Sequence, residues 1–171
     1  MQGTRTAKSS SPRSASTSAS PTLSTSSGAA IASACRTSSA VDLRRWTGWR
    51  GSARGGWKVA IITNGTAGNQ RGKIQQTGLA TAVDAYVLSG VEGIRKPDVG
   101  LFEIAARRCG TTLADGGWMV GDHLVADVGG GRSAGLRTIW IDRGTWPEHD
   151  QTADHVVTDV LQAMEILLQH Q

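Results

Sequence analysis

Hydrophobic residues are unevenly distributed along this chain, and the pattern changes near residue 58. From there on, short apolar runs alternate with stretches that have helical spacing. The apolar runs predict β-strands at 58–62, 86–89, 118–120, 137–141 and 155–157. Periodic or glycine-terminated stretches predict helices at 67–78, 98–109, around 126–135 and at 158–169. Alternating strands and helices predict an α/β fold: a Rossmann-like parallel sheet with helices on both faces.

Residues 1–57 show no such pattern. Residues 1–40 are dominated by Ser, Thr and Ala, and their apolar residues are too few and irregular to offset the entropy of ordering. Residues 41–57 mix tryptophan, arginine and glycine without a period; such a stretch could stack on bases, but a linker is the simpler interpretation. We therefore expect a low-complexity, disordered basic tail or linker at 1–57 and a folded domain at 58–171.

The basic character of the chain belongs to the tail. Residues 1–58 contain nine Lys or Arg and one acid, a net charge of +8, whereas 59–171 contain nine Lys or Arg and thirteen acids, a net charge of −4. No apolar run approaches the roughly 18 residues of a membrane span, so we expect no membrane association. Cys35 and Cys109 form no CxxC pair or Cys/His cluster, which argues against a zinc site and a disulfide framework. A cytoplasmic protein that does not bind nucleic acid is the expectation.

Two polar motifs are candidate phosphate contacts. Thr63, Asn64 and Gly65 end the first predicted strand, where a hydroxyl and backbone amides can hold a phosphate, although Thr-Asn-Gly is also an ordinary turn. Lys96 lies in a proline-stiffened loop and can offer a fixed positive charge to a phosphate or a buried carboxylate; the same tripeptide also suits a surface turn. Ligands of parallel sheets bind at the carboxyl ends of strands, which favours a shared site.

A third motif contains two carboxylates. Asp122 follows the strand at 118–120, and Asp127 lies five residues later, at the entry to a glycine-rich helix. A carboxylate at a strand end can bind Mg²⁺, which prefers hard oxygen ligands, and the second can support the loop or pair with Lys96. Taken alone, both acids could simply be helix caps.

The order of the three motifs carries a family resemblance. Thr63-Asn64-Gly65 is followed about 30 residues later by Arg-Lys-Pro-Asp, and about 25 residues beyond by Gly-Asp-x4-Asp. This order resembles motifs II, III and IV of the haloacid-dehalogenase-like (HAD) hydrolase superfamily, over roughly residues 57–171. The resemblance implies that Thr63 and the backbone near Asn64 and Gly65 bind a phosphoryl group. It also implies that Lys96 stabilises negative charge, that Asp122 holds Mg²⁺ and that Asp127 supports the loop.

The family's first motif, Asp-x-Asp-x-Thr, is not found. It carries the nucleophile and a general acid–base on the central first strand, but Asp42 is the sole acid before Thr63 and follows no apolar strand. We therefore expect a partial core that lacks its first central strand and its cap, with self-association through the exposed sheet. Residues 1–57 would then be foreign to the domain, as after a frameshift, a wrong start or a truncation.

The function expected from the resemblance is that of a Mg²⁺-dependent phosphatase. The relatives act on small phosphorylated metabolites, whose phosphoryl group is transferred to an aspartate of the enzyme as a phospho-aspartyl intermediate. This chain, as written, would be truncated and inactive without that nucleophile. The alternative is a non-catalytic phosphate/Mg²⁺-pocket binding or regulatory protein with a basic tail. A dinucleotide enzyme is disfavoured because the glycines after 62 read Gly65-x-x-Gly68-x-x-x-Gly72 and not Gly-x-Gly-x-x-Gly.

Overall fold

The computed structural model describes residues 29–33, 57–76, 79–146 and 152–170, and the structural statements below concern these residues. The described strands are β1 Ala29–Ser33, β2 Lys58–Thr63, β3 Ala85–Leu88, β4 Gly117–Gly121, β5 Arg137–Ile141 and β6 His155–Val157. The α-helices are α1 Ala67–Gln76, α2 Leu79–Ala82, α3 Ser89–Glu92, α4 Val99–Arg108, α5 Gly130–Ser133 and α6 Val160–Gln169. A 3₁₀ turn covers Leu113–Asp115, and a π-helical segment covers Leu124–Gly129.

All the strands belong to one parallel sheet in the order β3-β2-β1-β4-β5-β6. The predicted α/β class, with a parallel sheet and helices, is confirmed. Continuous apolar runs such as Val59–Ile62 form strands because both faces of the sheet are covered, so every side chain in the run is buried.

The centre of the sheet differs from the expectation. Strand β1 lies between β2 and β4, with Ser33 in register with Ile62 and Ala32 in register with Val120. The prediction that the sheet lacks its first central strand is therefore wrong, and the strand edges expected to be exposed for self-association are paired with β1. The rest of the predicted disordered tail, apart from Trp57, lies outside the described residues.

Two apolar layers hold the sheet between its helices. One layer lies between the sheet and α6; it consists of the strand residues Val59, Ile61, Trp118, Val120, Ile139 and Ile141 and the α6 residues Ala163, Met164 and Leu167. The other faces α4 and is formed by Ala60, Ile62, Val87, Leu101, Phe102, Ala105 and Met119. Because successive strand residues point to opposite faces, β2 and β4 contribute to both layers.

The glycine-rich segment after β4 packs closely on this second layer. A Cβ at Gly130 would lie 2.9 Å from the Phe102 ring, and one at Gly131 would lie 2.6 Å from Met119 Cβ. The predicted helix around 126–135 is therefore made of the π-helical segment and α5, with glycine required where the backbone meets the core. Within the described part of the chain, no helix is both long and apolar enough to cross a membrane.

Candidate active site

Buried polar side chains gather at the carboxyl ends of β2 and β4. Thr63, Lys96 and Asp127 are 4%, 4% and 1% exposed, although polar groups of this kind are normally at the surface. They come from the last residue of β2, the loop after α3 and the π-helical segment after β4. The fold therefore brings together residues that are far apart in the sequence, at the edge where parallel sheets bind ligands.

Lys96 is at the centre of this group. Its Nζ lies 2.6 Å from Asp127 Oδ1 and donates a hydrogen bond of 3.1 Å to the backbone carbonyl of Ile62. Burying an ion pair removes two charges from water, and this penalty is offset only when the charges are in close contact and hydrogen-bonded. The Lys96 ammonium and the Asp127 carboxylate are thus held in fixed positions at the carboxyl ends of β2 and β4.

Asn64 holds the loop that carries Lys96. The side-chain Nδ2 of Asn64 donates to the carbonyl of Lys96 at 3.0 Å, and the amide of Lys96 donates to Asn64 Oδ1 at 2.9 Å. These reciprocal bonds use the Asn64 side chain to position the lysine. Next to it, the amide of Gly65 donates to Ser89 Oγ at 3.0 Å, so a phosphate contact at Gly65 would have to replace that hydroxyl.

Asp127 uses both of its carboxylate oxygens inside the protein. Oδ1 faces Lys96, and Oδ2 accepts a hydrogen bond of 3.1 Å from the amide of His123. A Cβ at Gly121 would lie 2.6 Å from Asp127 Cβ, so the strand end must be glycine for this carboxylate to fit. Asp127 therefore bonds both the lysine and the backbone of the loop after β4.

Asp122 is more open. Its side chain is 28% exposed, and its Oδ2 lies 3.4 Å from Nε of Arg143. The backbone carbonyl of Asp122 accepts hydrogen bonds from the indoles of Trp140 and Trp146, at 3.3 and 3.1 Å. These bonds fix the backbone of Asp122, while its carboxylate remains at the edge of the site.

Several of these residues were not found from the sequence. Arg143 and Trp146 lie in the segment after β5, Ser89 begins α3, and the His123 side chain accepts a hydrogen bond of 3.1 Å from the amide of Ala126 at the start of the π-helical segment. The ring of His123 also packs edge-on against Trp146, with centroids 4.8 Å apart. The signal that could have found them is their position after the carboxyl ends of β3, β4 and β5, the edge where parallel sheets bind ligands.

The end of β1 lies between the two groups of site residues. Ser33 is the last residue of this strand and pairs with Ile62, whose carbonyl accepts the Lys96 hydrogen bond. In the sequence, Ser33-Ala34-Cys35-Arg36-Thr37 has a hydroxyl and a thiol two residues apart and a threonine two further on. The strand between the two predicted motifs therefore ends without a carboxylate.

Asp122 has the chemistry of a magnesium ligand. It is a hard oxygen donor at a strand end, and Mg²⁺ is commonly held by one or two carboxylates together with waters and a substrate phosphate. The described residues contain no group of three or more His, Cys, Asp or Glu that could hold a metal by themselves. The chemistry of Asp122 therefore suits Mg²⁺ that is held by a phosphate and waters as well.

Comparison with known proteins identifies the family. The HAD-hydrolase-like family model matches residues 93–163, which include Lys96, Asp122 and Asp127. The carboxy-terminal part of this chain belongs to the HAD superfamily. The predicted recognition is thus confirmed.

The HAD relatives include several phosphatases. The chain is 40% identical over 100 residues to phosphoserine phosphatase of Thermus thermophilus; the aligned region covers 58% of this chain and 40% of the relative. It is 37% identical over 89 residues to the pyrimidine 5′-nucleotidase YjjG of Escherichia coli, covering 52% and 40%. A HAD phosphatase from Thermococcus onnurineus superposes with a TM-score of 0.63 at 28% identity, over 72% of this chain and 55% of that one. The chain thus spans less than half the length of these two curated relatives.

Proposed function

We propose that this chain carries the phosphate- and Mg²⁺-binding half of a HAD-type phosphatase site for small phosphate esters. The observation that carries the proposal is the buried Lys96–Asp127 pair, 2.6 Å apart, beside the Thr63 strand end. A buried ammonium that is fixed before ligand arrives can stabilise negative charge without reorganisation. The similarity to phosphatases supports the same chemistry.

Each residue has a distinct task in this proposal. Thr63 and the backbone near Asn64 bind the phosphoryl oxygens, and Lys96 stabilises their charge. Asp127 holds the lysine in position, and Asp122 would hold Mg²⁺. The metal, when bound, neutralises phosphate charge and orients the phosphate for in-line displacement.

We further propose that the chain as written does not turn over. A phosphatase of this type needs a carboxylate nucleophile, and β1 ends in Ser33, with Asp42 as the sole acid before Thr63. The hydroxyl of serine is a weak nucleophile unless a base activates it. Binding without turnover is therefore the expected behaviour.

The test combines a phosphatase assay with a restored pair of carboxylates. Ser33→Asp together with Cys35→Asp gives the Asp-x-Asp-x-Thr spacing with Thr37, and p-nitrophenyl phosphate serves as the probe substrate. We expect no turnover for the natural chain and Mg²⁺-dependent turnover for the double variant, which Lys96→Met or Asp122→Asn removes. Ser33→Asn with Cys35→Asn is the matched uncharged control and should stay inactive.

Two outcomes would contradict the proposal. Phosphatase activity of the natural chain that survives Lys96→Met would mean that the reaction does not use this site. A folded double variant that has neither turnover nor Mg²⁺-dependent binding of inorganic phosphate would mean that the site is not a phosphate site.

The second candidate is a non-catalytic phosphate/Mg²⁺-pocket binding or regulatory protein. The absence of a carboxylate within Ala29–Ser33 favours it, because the binding residues Lys96 and Asp122 do not depend on a nucleophile. Saturable binding of inorganic phosphate with Mg²⁺, and no gain of activity in the double variant, would support this function over the first.

A further inference from the structure

The end of β5 and the segment that follows it contact Asp122 in two ways. The indoles of Trp140 and Trp146 donate to its backbone carbonyl, and Arg143 approaches its carboxylate, with Nε 3.4 Å from Oδ2. The two indoles lie on either side of Arg143 in the sequence, so the arginine is carried by a segment already bonded to residue 122. The guanidinium is therefore held close to the carboxylate by the fold.

This ion pair differs from the one formed by Lys96. The side chains of Arg143 and Asp122 are 34% and 28% exposed, whereas those of Lys96 and Asp127 are 4% and 1% exposed. A partly exposed pair is weak because water screens both charges. The Arg143–Asp122 pair can thus be displaced by another cation at low cost, whereas the buried pair cannot.

We propose that Arg143 is a resident counter-ion that competes with the divalent cation for Asp122. This inference rests on the proposed function, because it concerns the same carboxylate. A guanidinium and a divalent cation both stabilise the negative charge of Asp122, so occupancy by one lowers the affinity for the other. Arg143 therefore keeps the carboxylate neutralised until a cation arrives, and it weakens binding of the cation when no phosphate is present.

The expected effect follows from the strength of exposed ion pairs. Removal of the charge by Arg143→Gln should tighten cation binding by up to about fivefold, the upper end of the range that corresponds to a partly exposed pair. Arg143→Lys keeps the charge and should bind close to the natural protein. The gain should shrink at high salt, where charges at the surface are screened.

The experiment measures cation binding directly in the full chain. Mn²⁺ is the probe, because carboxylate and water ligands suit it as they suit Mg²⁺, and unbound Mn²⁺ is counted by electron paramagnetic resonance. Arg137→Gln is the matched control: Arg137 begins β5, at the end of the strand opposite to Arg143, and packs over Trp118 at 5.3 Å. Thermal unfolding of each variant shows that the fold is intact.

The variants separate failure of this inference from failure of the proposed site. Tighter binding in Arg143→Gln but not in Arg143→Lys or Arg137→Gln supports the counter-ion. Unchanged or weaker binding in Arg143→Gln overturns it, provided that Asp122→Asn abolishes binding. If Asp122→Asn binds Mn²⁺ as well as the natural chain, the proposed metal site is wrong, and the counter-ion falls with it.

Discussion

Replacement of Lys96 by methionine tests whether the buried ion pair organises the site. Methionine keeps an unbranched apolar side chain but removes the ammonium, and this leaves the Asp127 carboxylate, 1% exposed, without its partner at 2.6 Å. Breaking one side of a buried pair costs about 3–5 kcal/mol. That is a large share of the roughly 5–15 kcal/mol that stabilises a typical domain.

The assay is urea unfolding followed by tryptophan fluorescence, with circular dichroism as a second probe. Lys58→Met is the matched control, because Lys58 is 48% exposed and lies 3.7 Å from Asp84. The control should lose less than about 1 kcal/mol. Lys96→Met with Asp127→Asn removes both charges and should be clearly more stable than Lys96→Met alone.

Two results would refute this reasoning. A loss in Lys96→Met as small as that in Lys58→Met would mean that the lysine is hydrated. If Lys96→Met with Asp127→Asn is no more stable than Lys96→Met alone, the unpaired Asp127 charge is not the cause of the lost stability.

Further predictions concern backbone packing, pH and thiol chemistry. In thermal melts, Gly121→Ala should destabilise the protein by about 1–3 kcal/mol, because the added Cβ would clash with Asp127. Gly72→Ala in α1 is the contrasting change: its added Cβ has no neighbour within 4 Å, so it should stabilise the protein by up to about 1 kcal/mol. Burial raises the pKa of the Asp154 carboxyl, but hydrogen bonds from the start of β5 and a nearby arginine outweigh it and lower the pKa below 3.8. The ionised Asp154 carboxylate therefore stabilises the fold above its usual pKa, and this stabilisation is lost as pH falls through the lowered pKa. In urea melts, Asp154→Asn should be slightly less stable than the natural chain at pH 7, and the two should become equally stable as pH falls below 3.8. Burial, with a nearby carboxylate, raises the pKa of Cys109 to about 11, so iodoacetamide should label its peptide at pH 8 only after unfolding, as read by mass spectrometry.

The sequence predicted strands well where both faces are covered by helices. Val59–Ile62 and Arg137–Ile141 form uninterrupted runs of apolar or β-branched residues, and such runs have few alternatives to a buried strand. Strand β1 was missed because Ala29–Ser33 contains four small residues around one isoleucine, inside a stretch rich in Ser and Thr. Its position in the sheet depends on pairing with β2 and β4, which no local pattern reports.

The contacts of the candidate site were likewise predicted only in part from the sequence. The proximity of Lys96 and Asp127 followed from the topology, because both lie after strands whose carboxyl ends share one edge. The same rule would have joined Asp122 and Arg143, which follow the adjacent parallel strands β4 and β5, but Arg143 was missed because an arginine after a strand is usually solvated. The roles assigned to Thr63, Asp122 and Asp127 remain predictions that the experiments above address.

The position of β1 divides the sheet into two blocks. The block of β3 and β2 and the block of β4, β5 and β6 share no strand-to-strand hydrogen bonds and are joined through β1. Lys96 spans the same division above the strand ends, with one contact to the β2 carbonyl of Ile62 and one to Asp127 after β4. Loss of the β1 pairing would therefore break the sheet at its centre and leave Lys96 as a side-chain link between the two blocks.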